Sequence, residues 1–308
     1  MTDLACPLCH LPLCSLAEFH WECRHCGAEF PRRASLDVML TAAEWDMMQA
    51  SPSVYSALDV ESYSRARRAS FLTRMYYDFW VDRMLGEISV GHAGVLVELM
   101  CGEGEISRRC GERFSTVYAI DLDVRFVANL ARDLGVNGER HVRPICANAA
   151  RLPLPDASVG VVAIMGGLHH ARPLIEAILT EICRILKPAG ILVVSEPAND
   201  HWLVRSIRHW QYSRSKLQGR DPGEDGFSRA ELDPLLAKSG FRLESYKVFG
   251  FLAYPLMGNT DLVPLLASSA STLLGKALLH IDEALERVPV GRDMGWASLF
   301  RAVKRNGQ

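Results

Sequence analysis

In Val95-Leu-Val-Glu-Leu-Met-Cys-Gly-Glu-Gly-Glu-Ile-Ser107 a short apolar run ends in a glycine-bearing turn and passes into a helix-like segment. An acid, Glu98, stands near the end of the run, and Gly102 and Gly104 lie in the turn. A parallel strand presents a small, charged, nucleoside-bearing ligand at its C-terminal edge in this way. Later stretches fall where the same site needs them. Tyr118-Ala-Ile-Asp121-Leu-Asp123 ends a second apolar run, with Asp121 17 residues after Gly104. That is close to the spacing at which an acid meets ribose hydroxyls, and a carboxylate accepts two hydrogen bonds from a vicinal diol. Cys146-Ala-Asn148-Ala149 ends a third run, where the Asn148 amide oxygen can accept from an adenine amine.

Outward from this stretch, strand-like runs at 95–99, 116–120, 142–146, 159–165 and 191–195 alternate with amphipathic segments near 104–113, 123–134, 173–186 and 229–239. A helix is predicted over 71–88, and two more strands over 241–249 and 297–303. The alternation predicts an α/β fold built on a doubly wound parallel sheet. Two insertions leave the pattern. Residues 197–227 follow the fifth strand and are expected to form part of a lid; residues 250–295 are apolar and helical in character. Loops beyond the carboxyl ends of strands build the ligand crevice of such sheets.

The order Glu98 to Ser107, Ile120-Asp121, Asn148-Ala-Ala-Arg151-Leu-Pro-Leu154, Met165-Gly-Gly-Leu-His-His170 and Leu186-Lys-Pro-Ala-Gly190 resembles the class I S-adenosylmethionine-dependent methyltransferases. The resemblance spans about residues 95 to 195 and points to the branch acting on small molecules, lipids and quinones. It implies a Rossmann-like seven-stranded methyltransferase sheet. It also implies that Gly102 and Gly104 approach the methionine part of the cofactor and that Glu98 neighbours its ammonium group. Asp121, followed by Leu122, would hold the ribose, and Asn148 with Ala149 would face the adenine. Three positions depart from the family pattern: Met100 replaces the first glycine, Asn148 an aspartate and Ala189 a glycine. A nicotinamide fingerprint needs a third glycine where Ser107 stands.

A sulfonium is already a reactive methyl donor, so the protein must align a nucleophile and exclude water. An oxygen or acidic-carbon nucleophile also needs a proton acceptor. His169 or His170, after the fourth strand, could serve, although such histidines also pack or cap. Tyr76 and Tyr77 either close over the cofactor or belong to the core. The 201–220 segment combines five basic residues with Trp202, Trp210 and Tyr212. That pairing suits RNA, and the resemblance extends to ribosomal guanine methyltransferases with an N-terminal zinc module. An amphipathic lid over a hydrophobic small-molecule substrate explains Trp202, Leu203, Ile207 and Trp210 equally, and the apolar 250–295 segment favours such a pocket or a homodimer face. The small-molecule reading is preferred over RNA. A protein that binds the cofactor or a partner without methylating is the third reading.

Cys6-Pro-Leu-Cys9 and Cys23-Arg-His-Cys26-Gly27 stand 13 residues apart. Two C-x-x-C turns place four thiolates around one point, which predicts a structural zinc site. Cys14, His10 and His25 are substitute ligands. The segment resembles the zinc ribbons that accompany certain methyltransferases. Three regions are expected: a ribbon over 1–40, a linker with lead-in helices over 41–94, and the methyltransferase domain over 95–308.

The 308 residues carry a net charge of −2 and 49% apolar side chains, enough for a real core and with no global attraction for nucleic acid or acidic membranes. The first residues lack a signal-peptide pattern. Pro264, Thr272 and Lys276 interrupt the most apolar window, so no membrane span is expected and the default compartment is the cytoplasm.

Overall fold

The computed structural model describes residues 3–15, 20–33, 36–50, 70–88, 94–110, 113–137, 141–214, 225–258, 271–288, 291 and 293–305. The predicted linker residues 51–69 and 89–93, and the insertion residues 215–224 and 259–270, lie outside them.

The central strands are apolar on both faces, the signature of parallel strands covered by helices. In β5 (Val95–Leu99) every residue after Val95 is buried, and in β8 (Val159–Met165) Val161 to Ile164 are fully buried. β6 (Thr116–Asp121) pairs with β5 and with β7 (Val142–Ala147), and β8 pairs with β5 and β9 (Leu186–Pro197), all parallel. β11 (Ala297–Lys304) then runs antiparallel between β9 and β10 (Phe241–Phe249). The strand order β7-β6-β5-β8-β9-β11-β10 reverses direction at β5/β8. That reversal leaves a crevice above the carboxyl ends of β5 and β8.

Helices cover both faces. α2 (Phe71–Gly86) is started by Ser70, whose hydroxyl accepts from the N–H of Thr73. α3 (Glu105–Arg109) and α4 (Val124–Asn137) follow β5 and β6. α5 (Ile175–Ile185) follows a 3-10 turn over Leu168–Leu174. α6 (Trp202–Arg214) begins the first insertion, and α7 (Arg229–Lys238) follows it with a complete Ser228/Glu231 capping box. α8 (Thr272–Glu286) belongs to the second insertion. It packs on α2 through Gly275, where an added Cβ would come within 2.6 Å of the Met75 sulfur, and through an Arg83–Glu286 ion pair of 2.6 Å.

The N-terminal segment does not sit apart. β1 (Cys14–Ser15), β2 (His20–Glu22), β3 (Glu29–Arg33) and β4 (Leu36–Met39) form a meander whose last strand pairs parallel with β7. The sheet therefore has eleven strands, four more than the seven expected. Leu4, Cys6, Leu13, Trp21, Phe30 and Met39 share one core with Val97, Leu152 and Leu154, and the N–H of Ala5 donates to the Pro153 carbonyl at 3.0 Å. A division at residue 40 cuts through this core. A segment this short buries little by itself, and docking on the β7 edge also covers an otherwise open strand. From β4 the chain passes into α1 (Ala42–Ala50). Among the described residues no helix is long and apolar enough to cross a membrane.

Candidate functional site

The loop from Met100 to Gly104 crosses the carboxyl end of β5. It holds three left-handed residues, Met100 (φ 56), Gly102 (φ 49) and Gly104 (φ 73). Each is present for a different reason. An added Cβ on Gly102 would meet nothing within 4 Å, so its backbone borders open space. One on Gly104 would strike the Leu130 side chain at 2.8 Å, so this glycine lets α3 sit against α4 and does not open the crevice. Met100 pays the steric cost of a left-handed side-chain residue. Its side chain reaches across the switch point to Gly167, after β8, where a Cβ would lie 2.5 Å from the Met100 Cβ. Gly166 beside it (φ 68) again borders open space.

Glu98 turns away from the crevice. It is 2% exposed, and its carboxylate accepts from the N–H groups of Ile106 and Ser107 at 3.0 and 2.7 Å and from the Ser107 hydroxyl. It caps α3, and a negative charge there suits the helix N-terminus. Burial nevertheless pushes its pKa up to about 7. Its hydrogen bonds among the described residues all go to the first turn of α3, so Glu98 holds the loop from beneath.

Asp121, at the end of β6, accepts from the N–H of Gly102 at 2.8 Å through Oδ2 and from that of Asp123 at 2.9 Å through Oδ1. Burial raises its pKa. It ties the glycine loop to the next strand end, and each oxygen keeps acceptor capacity for a sugar hydroxyl. Leu122 after it is 46% exposed and offers a flat apolar surface. At the end of β7, the Asn148 amide donates to Glu44 Oε1 at 2.7 Å and accepts from the N–H of Ala150 at 2.9 Å. Ala149 is half-buried beside it. Arg151 donates to the same Glu44 oxygen at 2.6 Å. Glu44 starts α1 and is 8% exposed. Burial works to raise its pKa, but the Thr41 N–H, Asn148 and Arg151 together hold it below the usual value. Sequence reading missed Glu44, although Thr41-x-x-Glu44 is a capping-box spacing.

Across the switch point, His169 Nδ1 lies 2.6 Å from Glu196 Oε2 at the end of β9. Glu196 is fully buried and also accepts from the N–H of Leu168 at 2.6 Å. The His170 ring, exposed, lies 3.9 Å from the His169 ring. Glu196 was also missed, because a single acid at a strand end carries no motif. Tyr76 is wholly buried in an aromatic cluster with Trp80 and Tyr254 and is a core residue, not a flap over the crevice; Tyr77 stacks on Trp80 at 5.8 Å.

On α6 the apolar side chains divide between solvent and the core. Trp202, Ile207 and Trp210 face outward, while Val204 and Arg208 are buried. The first insertion returns to β9 at Gly226, where a Cβ would lie 1.7 Å from the Pro197 carbonyl oxygen.

The four cysteines converge. Cys6 Sγ lies 3.6 Å from Cys26 Sγ, Cys9 Sγ lies 3.4 Å from Cys23 Sγ, and all four sulfurs fall within 4.8 Å of one another. Tetrahedral zinc with Zn–S of about 2.3 Å needs sulfurs about 3.8 Å apart, so the cluster is sized for that ion. Each C-x-x-C turn is followed by a left-handed residue, His10 (φ 60) and Gly27 (φ 72). Burial pushes the Cys6 thiol up to about 12, whereas at Cys23 the N–H groups of Cys26 and His25 outweigh burial and bring the thiol down to about 7. Among the described residues Cys14, His10 and His25 stay outside the cluster.

Residues 97–194 match the family described as "Methyltransferase domain". That stretch is a class I S-adenosylmethionine-dependent methyltransferase domain. The chain is 24% identical over 231 residues to an uncharacterized chloroplastic methyltransferase of Arabidopsis thaliana, covering 66% of this chain and 65% of that protein. It is 32% identical to the ubiquinone/menaquinone biosynthesis C-methyltransferase of Rubrivivax gelatinosus over 36% of this chain and 42% of that protein. Among solved structures, geranyl diphosphate C-methyltransferase from Streptomyces coelicolor A3(2) superposes with a TM-score of 0.51 at 17% identity, over 74% of this chain and 79% of that one. That likeness concerns the fold. The chain spans less than two thirds of the length of these curated relatives.

Proposed function

We propose that the chain transfers a methyl group from S-adenosylmethionine to a small, largely apolar acceptor. The observation that carries this is the open space above Gly102 and Gly166, on either side of the strand-order reversal, with the Asp121 carboxylate at its edge. Gly102 would lie along the methionine part of the cofactor, Asp121 would take the ribose hydroxyls, and Leu122, Asn148 and Ala149 would border the adenine. When bound, the cofactor supplies an electrophilic methyl group. Met100, packed against Gly167, would narrow the floor of the site beside Gly166.

His169 is the proposed proton acceptor. A buried carboxylate at Nδ1 favours the tautomer protonated there and leaves the Nε2 lone pair to take a proton. Glu196 positions the ring and stabilises the imidazolium. Half-buried Tyr254, stacked on the buried Trp296 at 6.1 Å, would border a hydrophobic acceptor side. Cys6, Cys9, Cys23 and Cys26 would hold a structural zinc, whose closed ligand set leaves no position for chemistry.

Incubation of the protein with methyl-labelled donor and a cell extract tests the reading. Label should enter an organic-soluble product, and Glu196→Gln should lower kcat with little change in KM. Label confined to RNA, or no transfer despite cofactor binding, contradicts it.

A further inference from the structure

Arg208 is 2% exposed, and among the described residues it has no acidic partner. Its Nη2 donates to the Trp296 carbonyl at 2.9 Å, and its guanidinium lies 5.8 Å from the Trp296 ring centroid. Its Nη1 is buried with no hydrogen-bond partner. A buried guanidinium with no carboxylate beside it among the described residues, and without a full set of acceptors, is a costly placement in a fold. A leucine or methionine would fill the same space more cheaply, so packing alone does not account for an arginine here.

Its position suggests a reason. Trp296 immediately precedes β11, and Ala297 pairs with Pro197, so Arg208 stands above the carboxyl end of β9, on the crevice side of the sheet. The N–H of Ala198 donates to the same Trp296 carbonyl. Next to it, the Asn199 side-chain oxygen is likewise buried without a partner. Trp296 stacks on Tyr254, which meets Trp80, whose indole N–H donates to the Ser195 hydroxyl at 2.7 Å. An unsatisfied cation thus sits at one end of a mostly buried aromatic cluster, above the carboxyl edge of the sheet where the acceptor would enter.

We propose that Arg208 is the anion-binding residue of the acceptor site, and that the acceptor carries a carboxylate or phosphate on an apolar body. The inference rests on the methyltransferase reading for the word acceptor, but the anion site itself is independent of it. The free Nη1 would meet one oxygen of that group, in a charge-assisted bond of the strong kind.

The test is calorimetric titration of the full chain with benzoate, phenyl phosphate and neutral benzamide, with and without saturating S-adenosylhomocysteine. At least one anion should bind about tenfold or more tightly than benzamide, as expected for a hydrogen bond to a charged group in a buried site. Benzoate ahead of phenyl phosphate assigns a carboxylate acceptor; the reverse order assigns a phosphate. The preference should vanish in Arg208→Met and persist in part in Arg208→Lys, which keeps the charge but not the fork. The S-adenosylhomocysteine titration of each variant reports that its fold is intact. Equal binding of all three probes to the wild type, binding of none, or an anion preference that survives in Arg208→Met overturns the proposal. If S-adenosylhomocysteine gives no heat while the anion preference stands, the methyltransferase reading fails and the anion site remains.

Discussion

The Asn148 amide, at the end of β7, donates to a carboxylate that belongs to the first helix after the cysteine-rich segment: Glu44 Oε1 lies 2.7 Å away. One side of the proposed cofactor site is therefore held by the N-terminal segment. The same Glu44 side chain accepts from the Thr41 N–H at 2.9 Å and from Arg151 at 2.6 Å, so one group fixes the start of α1 and the end of β7 together.

Replacing Glu44 should disturb both ends of this link. Glu44→Ala strands the Asn148 amide and the Thr41 N–H, at a cost of about 1–3 kcal/mol for unpaired buried donors and a lost cap. Chemical denaturation should show that loss, and S-adenosylhomocysteine should bind several-fold more weakly. A variant as tight and as stable as wild type means that Glu44 plays no part in the site.

Metal removal should act through the same route. Without the ion, the cysteine cluster loses the binding energy that orders a small segment. β4 and α1 then loosen, and Glu44 no longer holds Asn148. Chelation, or Cys9→Ser, should lower Tm and weaken S-adenosylhomocysteine binding together. Stoichiometric zinc in the purified protein, followed by no change on its removal, would leave the ribbon as an independent appendage.

Glu98 makes a pH prediction. Its folded pKa of about 7 lies above the ordinary value of 4.5 because it is buried. Between those values the folded protein holds a proton that the unfolded chain has released. Stability contributed by this group therefore declines as pH rises through that window. Denaturation of wild type and Glu98→Gln at about pH 5 and about pH 8 should show the decline in the wild type alone. The same slope in both proteins assigns it to another group.

Met100 and Gly167 should behave as a coupled pair. The Cβ of Gly167→Ala would sit 2.5 Å from the Met100 Cβ, a contact that forces the loop to move. We expect a destabilisation of about 1–3 kcal/mol for this overpacking, largely rescued by Met100→Gly, which also relieves the left-handed backbone. Additive effects in the double-mutant cycle would show that the two residues do not meet.

The parallel sheet was legible because its strands are buried on both faces and read as apolar runs; β5, β8 and β10 begin and end where the sequence predicts. β9 starts five residues earlier than expected, at Leu186, because Val159 pairs back onto it before a bulge. The ribbon strands and their fusion to β7 were not legible, since strands of two to five residues carry no usable period. Cys6, Cys9, Cys23 and Cys26 were legible from spacing alone, and the structure gathers them. Glu98 and Gly104 illustrate the opposite case. Their positions in the motif are as expected, but whether a residue faces the crevice or the helix behind it depends on backbone geometry that the motif does not encode. Glu196 stands in no motif, Glu44 shows only a capping-box spacing and Arg208 is one of five basic residues in the 201–220 segment, so tertiary proximity alone gives these three their roles.

The central claim is that a nucleoside sulfonium lies across the ends of β5 and β6, against Gly102 and Asp121. Calorimetric titration of S-adenosylhomocysteine into wild type and Asp121→Ala tests it most directly. The account predicts one saturable site in the wild type, lost or weakened at least about tenfold in the variant, in keeping with removal of a charged acceptor. No heat with the wild type, or equal affinity in a folded Asp121→Ala, contradicts it.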